Sequence, residues 1–86
     1  MLLAAQYWPL SEAHAAAEVA WCESRGKPHV VGAAGEHGLW QIIPAYWNHL
    51  KPEGDGFAPR INAQWAHEIW KTTTDWRYWT CQPATN

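Results

Sequence analysis

The chain of 86 residues contains no CxxC pair and no HExxH, since His67–Glu68 is followed by Ile69–Trp70–Lys71. No metal and no cofactor are expected from motif spacing. Cations are few: six Lys plus Arg stand against eight Asp plus Glu, giving a net charge of −2 and a pI near 6.2. A nucleic-acid partner usually demands a basic face, so none is expected. No apolar run approaches the roughly 20 residues of a membrane span. The opening, MLLAAQYWP, lacks a basic stretch and has too short an apolar run for a secretory leader. The expectation is an excised domain, a mature product, or a protein exported by another route. Low-complexity runs, internal repeats and linkers are also missing. That leaves one domain over 1–86 with its core at about 11–82, small enough that this core alone is only modestly stabilising.

What the chain does have is tryptophan, eight in 86 residues. Trp brings a large apolar face and one polar N–H, which suits a tight small core and also a sugar-stacking cleft. Most of the eight are expected in the core. The two cysteines, Cys22 and Cys81, lie near opposite ends, and their spacing alone leaves two free thiols or one bond open.

Taken in order, residues 1–10 read as a lead-in ending at Pro9. Ser11 is a good N-cap with Glu12 in the first turn, predicting a helix over 12–24. Residues 25–37, RGKPHVVGAAGEH, hold three Gly and one Pro and cannot be a long helix. A short extended piece at 29–31 turning at 32–35 predicts a hairpin-like flap. Gly38–Ile42 reads as a tight helical turn, and Pro44 as the start of a short helix to about Leu50. Lys51–Ala58 is a loop. Pro59 opens a helix to about Thr72, with Ile61, Trp65 and Ile69 as its buried stripe. Asp75 caps a final turn carrying Trp76 and Trp79. The fold class is therefore mainly α: three to four helices with a small Gly-rich β-like flap.

Glu23 is the first candidate for chemistry. It follows Ala16 by seven residues, Val19 by four and Ala20 by three, so it projects from the small apolar face of the helix. Burial there disfavours the charged carboxylate. The last helical turn adds the partial negative charge of its free carbonyls. Both effects push the pKa upward, as a general acid near neutral pH requires.

"CES" at Cys22–Ser24, then "GLWQI" at Gly38–Ile42, Pro44 and the distant "WTC" at Trp79–Cys81, resemble the SLT-type lytic transglycosylases and goose-type lysozymes. The small actinobacterial and phage versions, and the catalytic domain of resuscitation-promoting factors, are more similar still. The resemblance covers roughly residues 11–82. It implies a lysozyme-like fold, a Cys22–Cys81 disulfide and hence an oxidising compartment, and the role of catalytic acid for Glu23. Closing so long a loop would stabilise by about 4 kcal/mol in the chain-entropy model. Larger SLT-type enzymes also carry an "AYN" motif, whose Tyr bonds the catalytic Glu. This chain lacks it, as resuscitation-promoting factors do.

The implied substrate is the glycan strand of peptidoglycan, cut at the MurNAc-β-1,4-GlcNAc bond by a monomer that is secreted, wall-associated or phage-borne. A lytic transglycosylase needs one carboxylate and yields a 1,6-anhydro end. A hydrolytic muramidase would use a second carboxylate, with Glu36 the first candidate beside Glu53 and Asp55. Substrate contacts are expected from Gln41, whose amide suits sugar hydroxyls or the N-acetyl group and equally suits a structural cap of the flap. They are expected too from Trp40 and Tyr46, which either stack on sugar rings or pack the flap, and from Ser24 and Glu36, the latter otherwise a solvated loop charge. Asn62 is read as a brace of the cleft. A peptidoglycan- or chitin-binding module without turnover is the rival from a different class. A Trp-rich helical interaction domain is another, though it would have no use for the flap or for an apolar-face Glu.

Overall fold

The computed structural model describes residues 2–50 and 53–83. Among these, three α-helices carry the chain: α1 at Leu2–Tyr7, α2 at Leu10–Ser24 and α3 at Pro59–Lys71, with a 3-10 turn at Asn48–Leu50. The first two residues of the expected 51–58 loop lie outside the described residues. Among the described residues, no helix is long and apolar enough to cross a membrane.

The expected lead-in is mostly α1. Six residues are far too few to hold a helix alone, so tertiary packing must hold this one. Ala4 and Trp8 are buried, and the Trp8 ring lies 5.2 Å from Trp40 and 5.6 Å from Trp76. Pro9 then takes the N-cap position of α2, while Ser11, the expected cap, falls inside the helix and makes no capping bond. The Pro9 carbonyl accepts the N–H groups of Glu12 and Ala13 at 2.8 and 2.9 Å.

The alanine face of α2 is buried at Ala13, Ala16 and Ala20, with Val19 beside them. Short side chains leave room for large rings. Trp40 enters that room and donates its indole N–H to the Ala16 carbonyl at 3.0 Å. Trp79 in turn donates to the Trp40 carbonyl at 2.8 Å. Trp8, Trp40, Trp65, Trp70, Trp76 and Trp79 are all buried, so the tryptophan load is mainly a core. In α3, Trp65 and Ile69 face that core and Ile61 is partly buried against it, as the stripe predicts.

The flap exists as two isolated antiparallel bridges, Val31 with His37 and His37 with Ile42. Gly38–Ile42 is thus a turn closing a bridge, not a helical one. Asn62 ties this region to α3. It is fully buried; its Oδ1 accepts the Trp40 N–H at 2.7 Å, and its Nδ2 donates to the carbonyls of His37 and Gly56 at 2.7 and 2.9 Å. Gly38 sits at φ 74, where a side chain would drive into the Gly56 carbonyl and the Asn62 amide.

Pro44 does not start a helix. The chain after it runs through turns, and only Asn48–Leu50 is helical, as 3-10. Cys22 and Cys81 are bonded, with 5.9 Å between their Cα atoms. The result is the expected class: mainly α, with a minimal β flap and one disulfide.

Candidate active site

Glu23 lies in the last turn of α2, below the buried Ala16, Val19 and Ala20. The helix stops one residue later, where Arg25 and Gly26 turn left-handed at φ 55 and 74. The stop leaves the Glu23 carboxyl at the wall of an open cleft of about 260 Å³. Cys81 donates its backbone N–H to Glu23 Oε2 at 3.0 Å. Burial raises the Glu23 pKa above the ordinary carboxylate value, the Cys81 N–H opposes that, and the negative charge of Glu36 raises it further; the net direction is upward. A half-buried carboxyl that holds its proton longer and opens on a cleft can deliver that proton to a bound oxygen.

Glu36, Gln41 and Tyr46 line the same cleft. Tyr46 is 67% exposed, its ring edge-on to Trp47 at 5.0 Å. Gln41 serves as the structural cap of the flap. Its amide gives both N–H groups to the flap, to the carbonyls of Val30 at 3.1 Å and Gly38 at 2.9 Å. Only its carbonyl oxygen remains for a ligand, so it offers an acceptor and no donor. It does so from a left-handed backbone, φ 51, which is costly for a residue with a side chain.

Two expected contacts are corrected. Trp40 is fully buried, clamped by Ala16 and Asn62, and has no face to offer a sugar. Ser24 is buried too, its hydroxyl turned back to the Ala20 carbonyl at 2.9 Å. Sequence adjacency to Glu23 put Ser24 among the candidates, but the next residue along a helix faces about 100° away.

The structure also brings in residues that sequence reasoning missed. Trp47, Tyr78 and Thr80 line the cleft, with Tyr78 edge-on to Trp47 at 4.9 Å. Tyr46, Trp47 and Tyr78 thus form an aromatic row at the cleft wall, suited to pyranose faces. The signal for Tyr78 was present in "DWRYWTC". The Trp79 N–H returns to the Trp76 carbonyl at 3.0 Å, so the turn sends both indoles inward and leaves Tyr78 outside. Asp75 holds that turn by accepting the Arg77 N–H and guanidinium, which keeps its carboxyl well below the usual range.

A second cleft of about 200 Å³ shares Trp47 with the first and is floored by Ile42, Leu50 and Ile69. Of its two acids, Glu53 is exposed in the loop and Glu68 is taken by Lys71 at 2.6 Å. Neither is held as Glu23 is, by burial and a backbone donor.

No curated protein and no solved structure matches the chain. A family model described as a lysozyme-like domain matches residues 9–81, from the start of α2 to the second half-cystine. That span takes in Glu23, the flap and the aromatic row, and on it the chain belongs to the family of lysozyme-like domains.

Proposed function

We propose that this domain cleaves the MurNAc-β-1,4-GlcNAc bond of peptidoglycan as a lytic transglycosylase, with Glu23 as acid and then base. Membership of the lysozyme-like family supports glycosidic-bond cleavage in general. The observation that carries the reading is the Glu23 carboxyl itself: half-buried, raised in pKa, fixed by the Cys81 N–H and open to the cleft.

Glu23 protonates the bridging oxygen as the bond from the muramic anomeric carbon to it breaks. The 6-hydroxyl of the same sugar then bonds that carbon, and its proton returns to the Glu23 carboxylate. No water is consumed, so the released end is one water lighter than a reducing end. Tyr46, Trp47 and Tyr78 support the rings while this occurs. All of these groups come from one chain, which fits a monomer, and the disulfide fits a secreted, wall-associated or phage-borne setting.

One observation favours hydrolysis instead. Glu36 lines the same cleft and could serve a water. Mass spectrometry of the soluble products from purified peptidoglycan separates the two. The proposal predicts 1,6-anhydro ends; reducing ends of full mass would replace it with a muramidase. Binding of glycan strands with no soluble product would leave only a binding module.

A further inference from the structure

Gly32 is a glycine for want of room. Its backbone is not left-handed, yet a β-carbon there would overlap both Glu36 Oε1 and Gln41 Oε1. These two oxygens therefore close on the same small space above the Gly32 Cα. Each is fixed from behind. Gln41 cannot turn its amide around, because both of its N–H groups meet backbone carbonyls, which only accept. Glu36 Oε1 accepts the Ala34 N–H at 2.8 Å, inside a turn closed by Gly32 N–H to the Glu36 carbonyl at 2.9 Å and Gly35 N–H to the Gly32 carbonyl at 3.0 Å. The flap thus presents two convergent acceptors, one of them charged, to the cleft that Glu23 also lines. Two such oxygens repel unless a donor group lies between them.

We propose that the Glu36–Gln41 pair holds the attacking O–H group of the displacement. The pair accepts its hydrogen bonding and leaves its lone pair free for the anomeric carbon. The proposal rests on the reading of Glu23 as proton donor. In the balanced step, Glu23 gives its proton to the leaving oxygen, the held oxygen bonds the anomeric carbon, and the proton it loses passes to the Glu23 carboxylate. Glu36 acts by position and keeps no proton from the reaction. The O–H group is the sugar's 6-hydroxyl, whose single hydrogen the pair shares until the oxygen bonds the anomeric carbon and that hydrogen moves to the Glu23 carboxylate, or a water, which keeps one hydrogen on the pair and passes the other to Glu23. The end formed tells which.

The test compares Glu36→Gln, Glu36→Ala and Gly32→Ala with the wild type on purified peptidoglycan, each at its own pH optimum. Melting curves report on folding. Loss of nucleophile positioning should lower kcat by roughly 10²-fold with KM unchanged, and formate should restore part of the activity of Glu36→Ala. Anhydro ends in the wild type, giving way to reducing ends in the Glu36 variants, identify the 6-hydroxyl as the held group. Reducing ends throughout identify water. Wild-type kcat in Glu36→Ala overturns the proposal, and so does a loss expressed in KM without formate rescue. If Glu23→Gln is inactive while Glu36→Ala is active, this inference alone fails. If Glu23→Gln is as active as the wild type, the underlying reading fails and takes the pair with it.

Discussion

Glu23→Gln is expected to lower peptidoglycan lysis by roughly 10²- to 10⁴-fold, the usual worth of general acid–base catalysis. The amide keeps the size of the side chain and can still accept the Cys81 N–H, so the fold should persist. Stability should move the other way. The folded-state pKa of Glu23 is raised, so below the unfolded-state pKa both states carry the proton and the residue costs nothing. As pH rises past that value the unfolded chain releases its proton while the native one retains it, and stability falls. Above the raised native pKa the cost is constant. The variant should therefore match the wild type in melting temperature at low pH and exceed it at neutral pH. A variant that lyses walls normally, or one that melts lower at neutral pH than at acid pH relative to the wild type, would count against this account.

The next largest effect is expected from the disulfide. Cys22 and Cys81 are 59 residues apart, and opening a loop of that length costs about 4 kcal/mol in the chain-entropy model. For a domain of this size that corresponds to a fall in melting temperature of roughly 15 to 30 °C. The site should suffer as well. Cys22 neighbours Glu23 in α2, while Cys81 gives Glu23 its backbone donor and ends the strip carrying Tyr78 and Thr80. Activity of the Cys22→Ser/Cys81→Ser variant, measured well below its own melting temperature, should still be reduced. Melting within a few degrees of the oxidised protein and full activity would show that packing alone positions the strip.

The parts of this fold that rest on local pattern were legible in the sequence. Glu23 could be placed on the alanine face by counting, the flap by its glycines, and α3 by the spacing of Ile61, Trp65 and Ile69. The Cys22–Cys81 bond came from resemblance, since spacing alone left free thiols open. What stayed hidden depends on contacts between distant segments. α1 is too short to announce itself and holds because Trp8 packs on Trp40 and Trp76. Trp40 looked like a ligand contact because an aromatic in a motif reads alike whether it points in or out. Its direction is settled by Ala16 and Asn62, each more than twenty residues away. Tyr78 and the Cys81 N–H reach Glu23 only through the closing of the chain's end onto α2. Gln41 was read from the chemistry of its amide, and the flap carbonyls that occupy its donors are invisible in one dimension.

The central claim is that partial burial and the charge of Glu36 keep a proton on Glu23 for use in the cleft. The most direct measurement is the titration of the Glu23 side-chain carboxyl by ¹³C NMR, set beside the pH dependence of kcat/KM. The account predicts that Glu23 titrates above the ordinary carboxylate value of 4.5. It also predicts that activity falls, as pH rises, through the same value, and that both move down together in Glu36→Gln. A Glu23 that titrates at or below 4.5, or an alkaline limb that ignores its titration, would contradict it.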